Sequence, residues 1–144
     1  MSDTFEDAIQ FKLQMYKKRA AEKGREFSVP HSHFKRLVLS DCSYCGLKAE
    51  RGASFKYAQH TFRSNGLDRR DSSLGYTLAN VLPCCAFCNA WKGDEALASW
   101  LERIHRIAER TAWFPERLTP PAEPFEARMD RDRARWWFKK QMKD

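Results

Sequence analysis

The chain has 144 residues, in which 26 Lys and Arg stand against 19 Asp and Glu, for a formal net charge of +7. This length fits one domain with an appended arm, and the basic balance favours a polyanionic partner. No apolar run approaches the ~20 residues needed to span a bilayer, and no secretory signal pattern is found. We therefore expect an intracellular, cytoplasmic protein with reduced cysteines and no membrane association.

The first predicted element is an N-terminal helix within residues 1–26. It runs from Ser2 to Lys23, and Gly24 follows as a stop signal. Apolar residues recur every three or four positions and form one stripe: Phe5, Ile9, Leu13, Tyr16 and Ala20. The stripe indicates that one face of the helix packs on a core.

A second, shorter helix is predicted from His31 to Leu39, with Ser28 as its cap. It leads the chain to Asp41 and the first cysteine pair. From Leu47 to Arg63 no clear hydrophobic period is visible, so we expect an exposed connection, with an irregular strand at most between Phe55 and Phe62.

Two C-x2-C pairs predict a structural zinc site. Cys42 and Cys45 form the first pair and Cys85 and Cys88 the second; four thiolates complete the tetrahedral shell that Zn²⁺ prefers. Gly46 directly after the first pair suits the tight turn that such a pair needs. Cys84 could replace Cys85 as a ligand, but the second pair would then be C-x3-C, so we prefer Cys85 and treat Cys84 as a small core residue.

The residues between and after the pairs predict a ββα unit. Phe62 to Asp68 and Leu78 to Leu82 are two short strands joined by a polar loop, and Ala86 to Trp91 is a short helix. Asp94 then caps a further helix of about sixteen residues, with an apolar stripe at helical spacing. Its members are Leu97, Trp100 or Leu101, Ile104 and Ala108.

The C-terminal segment differs in composition from the rest. Residues 113–124 are rich in proline and predict a semi-rigid linker, and residues 125–144 predict a basic helical arm. Three aromatic residues, Trp136, Trp137 and Phe138, lie among the basic residues of the arm, which suits phosphate contact with base stacking or docking of the aromatic rings on the domain. The candidate nucleic-acid contacts are Arg128, Arg131, Arg135, Trp136, Trp137, Lys139 and Lys140 in the arm, with Arg69, Arg70 and Lys92 in the domain.

A long ordered pattern carries a family resemblance. It runs F-S-V-P-x-x-x-F-x-x-L, then C-x-Y-C-G, then N-G-L-D-R-x-D-x-S-x-G-Y-T-x-x-N-V-x-P-C-C-x-x-C-N-x-x-K. Over residues 27 to 101 the chain resembles HNH endonucleases of the ββα-metal (His-Me finger) superfamily, above all the small zinc-containing proteins common in bacteriophages. The resemblance implies an α+β fold for a domain at 27–112, with flanking helices around a ββα-metal core.

The resemblance also implies roles for individual residues. Asp68 and Asn89 match the family's ligands of a catalytic divalent ion, Mg²⁺ or Mn²⁺, and Asn80 matches a residue that ties the loop between the strands. The four paired cysteines match the structural zinc ligands. Such a protein would hydrolyse phosphodiester bonds in nucleic acid, with DNA preferred over RNA, and the arm offers a surface for a protein partner.

One position departs from the family pattern. The histidine that acts as general base after the aspartate is Arg69 here, and a guanidinium with a pKa above 12 cannot accept a proton near neutrality. Three hypotheses follow. Arg69 or Arg70 clamps the phosphate while His60 or Asp71 takes the proton; or the water attacks with little help; or the fold binds nucleic acid, or a machine that handles it, without cleaving.

Overall fold

The computed structural model describes residues 4–112, so the predicted linker at 113–124 and arm at 125–144 lie outside the described residues. The chain divides into two compact units, residues 1–91 and 92–144, which are described separately. The helices are α1 (Thr4–Glu22), α2 (His31–Val38), α3 (Ala86–Lys92) and α4 (Leu97–Ala112), with a 3₁₀ turn at Ala49–Arg51. The strands are β1 (Ala53–Tyr57), β2 (His60–Ser64), β3 (Gly66–Arg69) and β4 (Val81–Cys84).

Helix α1 forms where the apolar stripe predicts it. Ile9, Leu13 and Ala20 on the stripe are buried, which explains why an otherwise polar helix is stable in this chain. Gly24 ends the helix with a φ of 62°, and the N–H of Arg25 bonds back to the Ala20 carbonyl at 2.8 Å. A left-handed glycine with this hydrogen bond is a common helix stop.

Helix α2 also forms, but its predicted cap is wrong. Pro30 occupies the N-cap position in an extended conformation and makes no side-chain cap bond. The backbone N–H of Ser28 instead donates to the Tyr76 carbonyl at 2.9 Å. Proline favours helix starts because its fixed φ is compatible with the first turn, so the start needs no hydroxyl from Ser28.

The core of the first unit packs α1 and α2 against β3 and β4. Its buried members are Ile9, Leu13, Val29, Phe34, Val38, Leu67 and Val81. Tyr16 extends the core to the sheet, because its hydroxyl accepts the Leu67 N–H at 3.0 Å, and burial raises the pKa of Tyr16 to about 12. A Cβ at Gly66 would lie 2.5 Å from that hydroxyl, so only glycine allows the approach.

The segment from Leu47 to Arg63 is more regular than predicted. Strands β1 and β2 form an antiparallel hairpin whose register runs from Ala53↔Ser64 to Tyr57↔His60. The hairpin turns at Ala58, with a φ of 50°. The sequence signal was missed because Ala58 and Gln59 are not typical turn residues. Strand β1 does alternate between half-buried apolar and exposed polar residues, but the run is only five residues long.

The predicted ββα unit is present with shifted boundaries. The first predicted strand is interrupted at Asn65, whose buried side-chain amide donates to the Ser40 and Leu47 carbonyls, each at 2.9 Å. The chain therefore leaves β2 and enters β3 in a separate two-stranded sheet with β4, paired from Gly66↔Cys84 to Arg69↔Val81. Helix α3 follows β4 directly.

In the second unit, α4 has the predicted length of sixteen residues. Of the two predicted alternatives for its stripe, Trp100 is buried and Leu101 is 45% exposed, so Trp100 is the stripe member, whereas the predicted member Ala108 is exposed. An ion pair between Arg103 and Glu95 at 3.0 Å joins the helix to its own N-terminal segment. Within residues 4–112, no helix is both long and apolar enough to cross a membrane.

Candidate metal centre and active site

Four cysteine thiols converge at one point of the first unit. The sulfur atoms of Cys42, Cys45, Cys85 and Cys88 all lie within 4.8 Å of one another. The sulfur atoms of Cys45 and Cys85 are 3.7 Å apart, close to the roughly 3.8 Å that separates two ligands at about 2.3 Å from a tetrahedral zinc ion. The cluster is compatible with a single metal ion.

The turn that carries the first cysteine pair is closed by its own backbone. Gly46 has a φ of 72°, its N–H donates to the Cys42 carbonyl at 2.9 Å, and the Cys42 N–H donates to the Leu47 carbonyl at 2.9 Å. The N–H of Ser43 donates to the Pro83 carbonyl, also at 2.9 Å. We call residues 42–46 the cysteine knuckle; it is tied to strand β4.

The electrostatics of the thiols favour deprotonation of one of them. Hydrogen bonds from neighbouring thiols, that of Cys84 first, lower the pKa of Cys42 well below its ordinary value. The bond with Cys42 in turn raises the pKa of Cys85 to about 12 and raises that of Cys88. Because a thiolate is the form that binds metal, Cys42 is the thiol whose neighbours most favour that form.

Cys84 lies next to this cluster but is not one of the four converging thiols. It is the last residue of β4, is fully buried, and its thiol contacts the Cys85 carbonyl at 3.3 Å. The structure therefore groups Cys85, and not Cys84, with Cys88. This is the arrangement that the C-x2-C spacing favours.

Asp68 lies on β3 of the ββα unit, paired with Leu82 of β4. Its side chain is buried, and its Oδ2 accepts a hydrogen bond from the Tyr44 hydroxyl at 2.7 Å. Burial, followed by this bond, raises the pKa of Tyr44 above its ordinary value, which keeps the hydroxyl protonated as the donor. Tyr44 comes from the middle of the cysteine knuckle.

Asn89 is presented to the same strand by helix α3. Its Nδ2 donates to the carbonyl of Leu67, the neighbour of Asp68, at 3.1 Å, and its own N–H bonds to the Cys85 carbonyl at 3.0 Å. Because an amide has one donor end and one acceptor end, this bond uses the donor end of the Asn89 amide. Asn89 therefore lies beside the strand that carries Asp68.

Asn80 organises the loop between β3 and β4. Its side-chain oxygen accepts the Asp71 N–H at 3.0 Å, and its Nδ2 donates to the Asp71 and Gly75 carbonyls at 3.0 and 2.9 Å. Its backbone carbonyl accepts the Arg70 N–H at 2.8 Å. This residue closes the loop through hydrogen bonds to its backbone.

The two arginines after Asp68 have different environments. Arg69 is buried; its guanidinium lies 5.4 Å from the Tyr76 ring, and its Nη1 donates to the Leu74 carbonyl at 2.8 Å and to the Ser72 carbonyl. Arg70 is exposed. Arg69 therefore supports the loop from inside, whereas Arg70 is the one that can meet a phosphate from solvent.

The remaining predicted site residues have different outcomes. His60 lies at the turn end of the β1–β2 hairpin, exposed, with its ring against Phe62, in a different sheet from Asp68; the structure does not bring it to the ββα site. Lys92 is only 2% exposed, which argues against the predicted contact with a phosphate. The arm residues Arg128, Arg131, Arg135, Trp136, Trp137, Lys139 and Lys140 lie outside the described residues.

Tyr44 was missed by the sequence analysis, although it contacts Asp68 directly. It lies inside the C-x-Y-C segment, where the cysteines account for the pattern on their own. A tyrosine with its hydroxyl on a buried carboxylate is a tertiary contact between residues 24 positions apart. The only available signal was a large amphipathic residue at the centre of an otherwise small and polar turn.

The chain is similar in sequence to two curated proteins. No family model matches the chain. Over 72% of its length it is 36% identical to an uncharacterized protein of Acanthamoeba polyphaga mimivirus, and it spans 17% of that relative. Over 78% of its length it is 31% identical to the SPbeta prophage protein YoqL of Bacillus subtilis, named as an HNH endonuclease, and it spans 54% of that relative.

A solved structure is also similar. The rare-cutting HNH restriction endonuclease PacI shares the fold with a TM-score of 0.54 and 23% identity, over 77% of this chain and 82% of the PacI chain. The α+β fold, its ββα unit and its four-cysteine cluster are therefore those that the sequence pattern implies. The shared fold and the curated prophage relative together support the assignment of this chain to the HNH endonuclease family.

Proposed function

We propose that the protein is an HNH-type endonuclease that hydrolyses phosphodiester bonds in DNA with a divalent ion held by Asp68 and Asn89. The hydrogen bond between Asn89 and the strand that carries Asp68 supports the proposal. Asn89 bonds to the carbonyl of Leu67, the residue beside Asp68, so α3 presents an amide next to the strand that carries the carboxylate.

The donor set of this place suits a hard ion. Mg²⁺ and Mn²⁺ prefer oxygen ligands, and Mg²⁺ usually keeps several waters beside one or two protein carboxylates. Asp68 supplies a buried carboxylate and Asn89 an oriented amide. The sulfur-only set of Cys42, Cys45, Cys85 and Cys88 suits zinc in contrast, so we assign zinc to the cluster as a structural ion.

The chain's own residues then have distinct tasks. A divalent ion, when bound, neutralises charge that develops on the phosphate and the departing oxygen. Asp68 and Asn89 hold it, Asn80 and Arg69 keep the loop between the strands rigid, and exposed Arg70 contacts the phosphate backbone. Since position 69 lacks an imidazole, the attacking water would release its proton to bulk solvent and not to a histidine at this position, and we expect slow turnover.

DNA as the substrate is supported by the relatives and by charge. PacI is a restriction endonuclease that is described as perturbing DNA. The net charge of +7 on this chain favours a polyanionic partner. The two curated relatives are viral and prophage proteins, so we place this protein in a phage or viral setting, acting inside the host cell. We propose that the arm at 125–144 adds phosphate contacts.

A non-catalytic module that binds nucleic acid is the second candidate. The observation that favours it is Arg69, a side chain that cannot act as a base and that is used to bond the loop carbonyls of Ser72 and Leu74. In this alternative the ββα unit and the cysteine cluster provide a binding surface. In this alternative, DNA binding would survive EDTA at levels that leave zinc in place. If the protein is instead a nuclease, cleavage would vanish at the same levels of EDTA.

Plasmid nicking distinguishes the two candidates. Zinc-loaded protein is incubated with supercoiled plasmid and Mg²⁺ or Mn²⁺, alongside Asp68→Asn, Asn89→Ala and Arg69→His. Asp41→Asn is the matched control, because Asp41 is an exposed aspartate paired with Lys48 at 2.6 Å on the outside of the unit. Each variant is checked for zinc content and thermal melting.

We expect the wild type and Asp41→Asn to nick the plasmid, and Asp68→Asn and Asn89→Ala to lose at least about a hundredfold in rate, since they remove ligands of the ion. An inert wild type that still binds DNA, together with a gain of nicking in Arg69→His, would favour the binding module. Equal nicking by Asp68→Asn and wild type would overturn the proposed ion site.

A further inference from the structure

The cysteine knuckle and the candidate active site are joined by one side chain. Tyr44 stands between Cys42 and Cys45, and its hydroxyl donates to Asp68 Oδ2 at 2.7 Å. The knuckle is also bonded to β4 through the Ser43 N–H and the Pro83 carbonyl at 2.9 Å. Both strands of the ββα unit are therefore contacted by the turn that carries two of the four thiols.

From these contacts we infer that Tyr44 is a positioning residue, which holds the Asp68 carboxylate in the orientation that binds the catalytic divalent ion. The inference rests on the proposed function, since it takes Asp68 as an ion ligand. It also assigns a second task to the cysteine cluster. Metal in the cluster fixes the knuckle, the knuckle fixes Tyr44, and Tyr44 fixes Asp68.

The chemistry of the carboxylate allows both partners. An ionised carboxylate offers about four lone-pair sites on two oxygens, so an O–H bond to Oδ2 is compatible with an ion on the same group. Residues that bond to a metal ligand limit its rotation, and their loss typically costs about 10–100-fold in metal affinity or activity. Tyr44 is suited to orienting a carboxylate, because its half-buried side chain has only two rotatable torsions and the cysteine knuckle that carries it would be held by the bound metal.

Tyr44→Phe tests the inference, because it removes the hydroxyl and keeps the ring. Tyr57→Phe is the matched control; it removes a hydroxyl from strand β1, where the Tyr57 ring packs on Phe11 at 5.4 Å. Asp68→Asn is the reference for a lost ligand. Mn²⁺ binding to zinc-loaded protein is measured by electron paramagnetic resonance without DNA, together with zinc content, thermal melting and the Mn²⁺ dependence of plasmid nicking.

We expect Tyr44→Phe to keep its zinc and its melting temperature but to bind Mn²⁺ about 10–100-fold more weakly, with nicking recovered at high Mn²⁺. Tyr57→Phe should match the wild type. Wild-type Mn²⁺ affinity in Tyr44→Phe, with Asp68→Asn deficient, would overturn the inference while leaving the ion site intact. Loss of zinc from Tyr44→Phe would also overturn it, by assigning the hydroxyl to the knuckle's own stability. Equal Mn²⁺ binding by wild type and Asp68→Asn would instead remove the proposed function on which the inference rests.

Discussion

Asn80 and Asp71 form a reciprocal pair of hydrogen bonds. The Asp71 N–H donates to the Asn80 side-chain oxygen, and the Asn80 Nδ2 donates to the Asp71 carbonyl, both at 3.0 Å. The Asn80 side chain thus supplies the hydrogen-bond partners that a neighbouring strand would give to the Asp71 backbone. These bonds hold the loop between β3 and β4, which follows the strand that carries Asp68.

Replacing Asn80 tests this arrangement. Asn80→Ala removes three side-chain hydrogen bonds and leaves loop groups unpaired, so we expect a loss of about 2–4 kcal/mol in the free energy of unfolding. Urea denaturation of zinc-loaded protein measures it. Asn80→Asp keeps the acceptor for the Asp71 N–H but sets a carboxylate oxygen against the Asp71 and Gly75 carbonyls, so it should destabilise the protein at least as much as alanine. An unchanged midpoint in Asn80→Ala would show that the loop is closed by other contacts.

Substitution of the adjacent residues Cys84 and Cys85 should affect zinc content differently. Cys85→Ala removes one of the four converging thiols, so the protein should lose zinc and its cooperative melt, because metal binding contributes to folding. Cys84→Ala changes a buried neighbour outside the set and should retain one zinc per chain. Elemental analysis of the purified variants measures both. Retention of zinc by Cys85→Ala together with its loss from Cys84→Ala would reverse the assignment.

Arg69 and Arg70 should affect different properties. Arg69→Ala removes charged hydrogen bonds to the Ser72 and Leu74 carbonyls, and we expect unfolding free energy to fall by about 2–4 kcal/mol. Arg70→Ala should leave stability within about 0.5 kcal/mol. It should also weaken DNA binding and lower the salt slope by about one. Fluorescence anisotropy at several salt concentrations checks the second effect; equal slopes for Arg70→Ala and wild type would contradict it.

His60 should be dispensable for cleavage. Its ring packs against Phe62 near the turn of the β1–β2 hairpin, in a different sheet from Asp68. We therefore expect His60→Ala to nick plasmid at the wild-type rate, with His105→Ala, on exposed α4, as the matched control. A loss of nicking confined to His60→Ala would restore the hypothesis that His60 takes the proton.

The lowered pKa of Lys12 should make the free energy of unfolding depend on pH. Burial, followed by the charge of Arg19, lowers its pKa from 10.5 to about 8, and its ammonium bonds to Ser64 and to the Asn65 carbonyl. Between pH 8 and 10.5 the unfolded chain therefore holds a proton that the folded chain has released, so this group makes stability rise with pH. The penalty for burying the charge is fully present below pH 8.

Lys12→Met should lose that rise. Denaturation of zinc-loaded wild type and variant at pH 7.5, 8.5 and 9.5 measures it, and Lys17→Met, on the exposed face of α1, is the control. The window stops near pH 10, because the raised pKa of Tyr16 makes stability fall with pH above that value. Parallel pH profiles for wild type and Lys12→Met would show that the buried amine does not control this dependence.

The elements whose signals are local can be predicted from the sequence. The stripe of α1, the Gly24 stop, the C-x2-C pairs with Gly46, and the ββα order all follow from short-range periodicity or spacing, which constrain the backbone wherever they occur. The choice of Cys85 over Cys84 also follows from spacing. These features place the metal cluster and Asp68 near one another before any tertiary contact is known.

Which side chains meet depends on the packing of segments that are distant in the chain. The β1–β2 hairpin and the break at Asn65 depend on carbonyls of Ser40 and Leu47, which are distant in the chain. The same holds for Tyr44 on Asp68, Asn89 on Leu67, and the burial of Arg69 beside exposed Arg70. Hydrogen bonds and burial are properties of the packed chain, and residue identity alone states neither the partner nor the solvent exposure of a polar group.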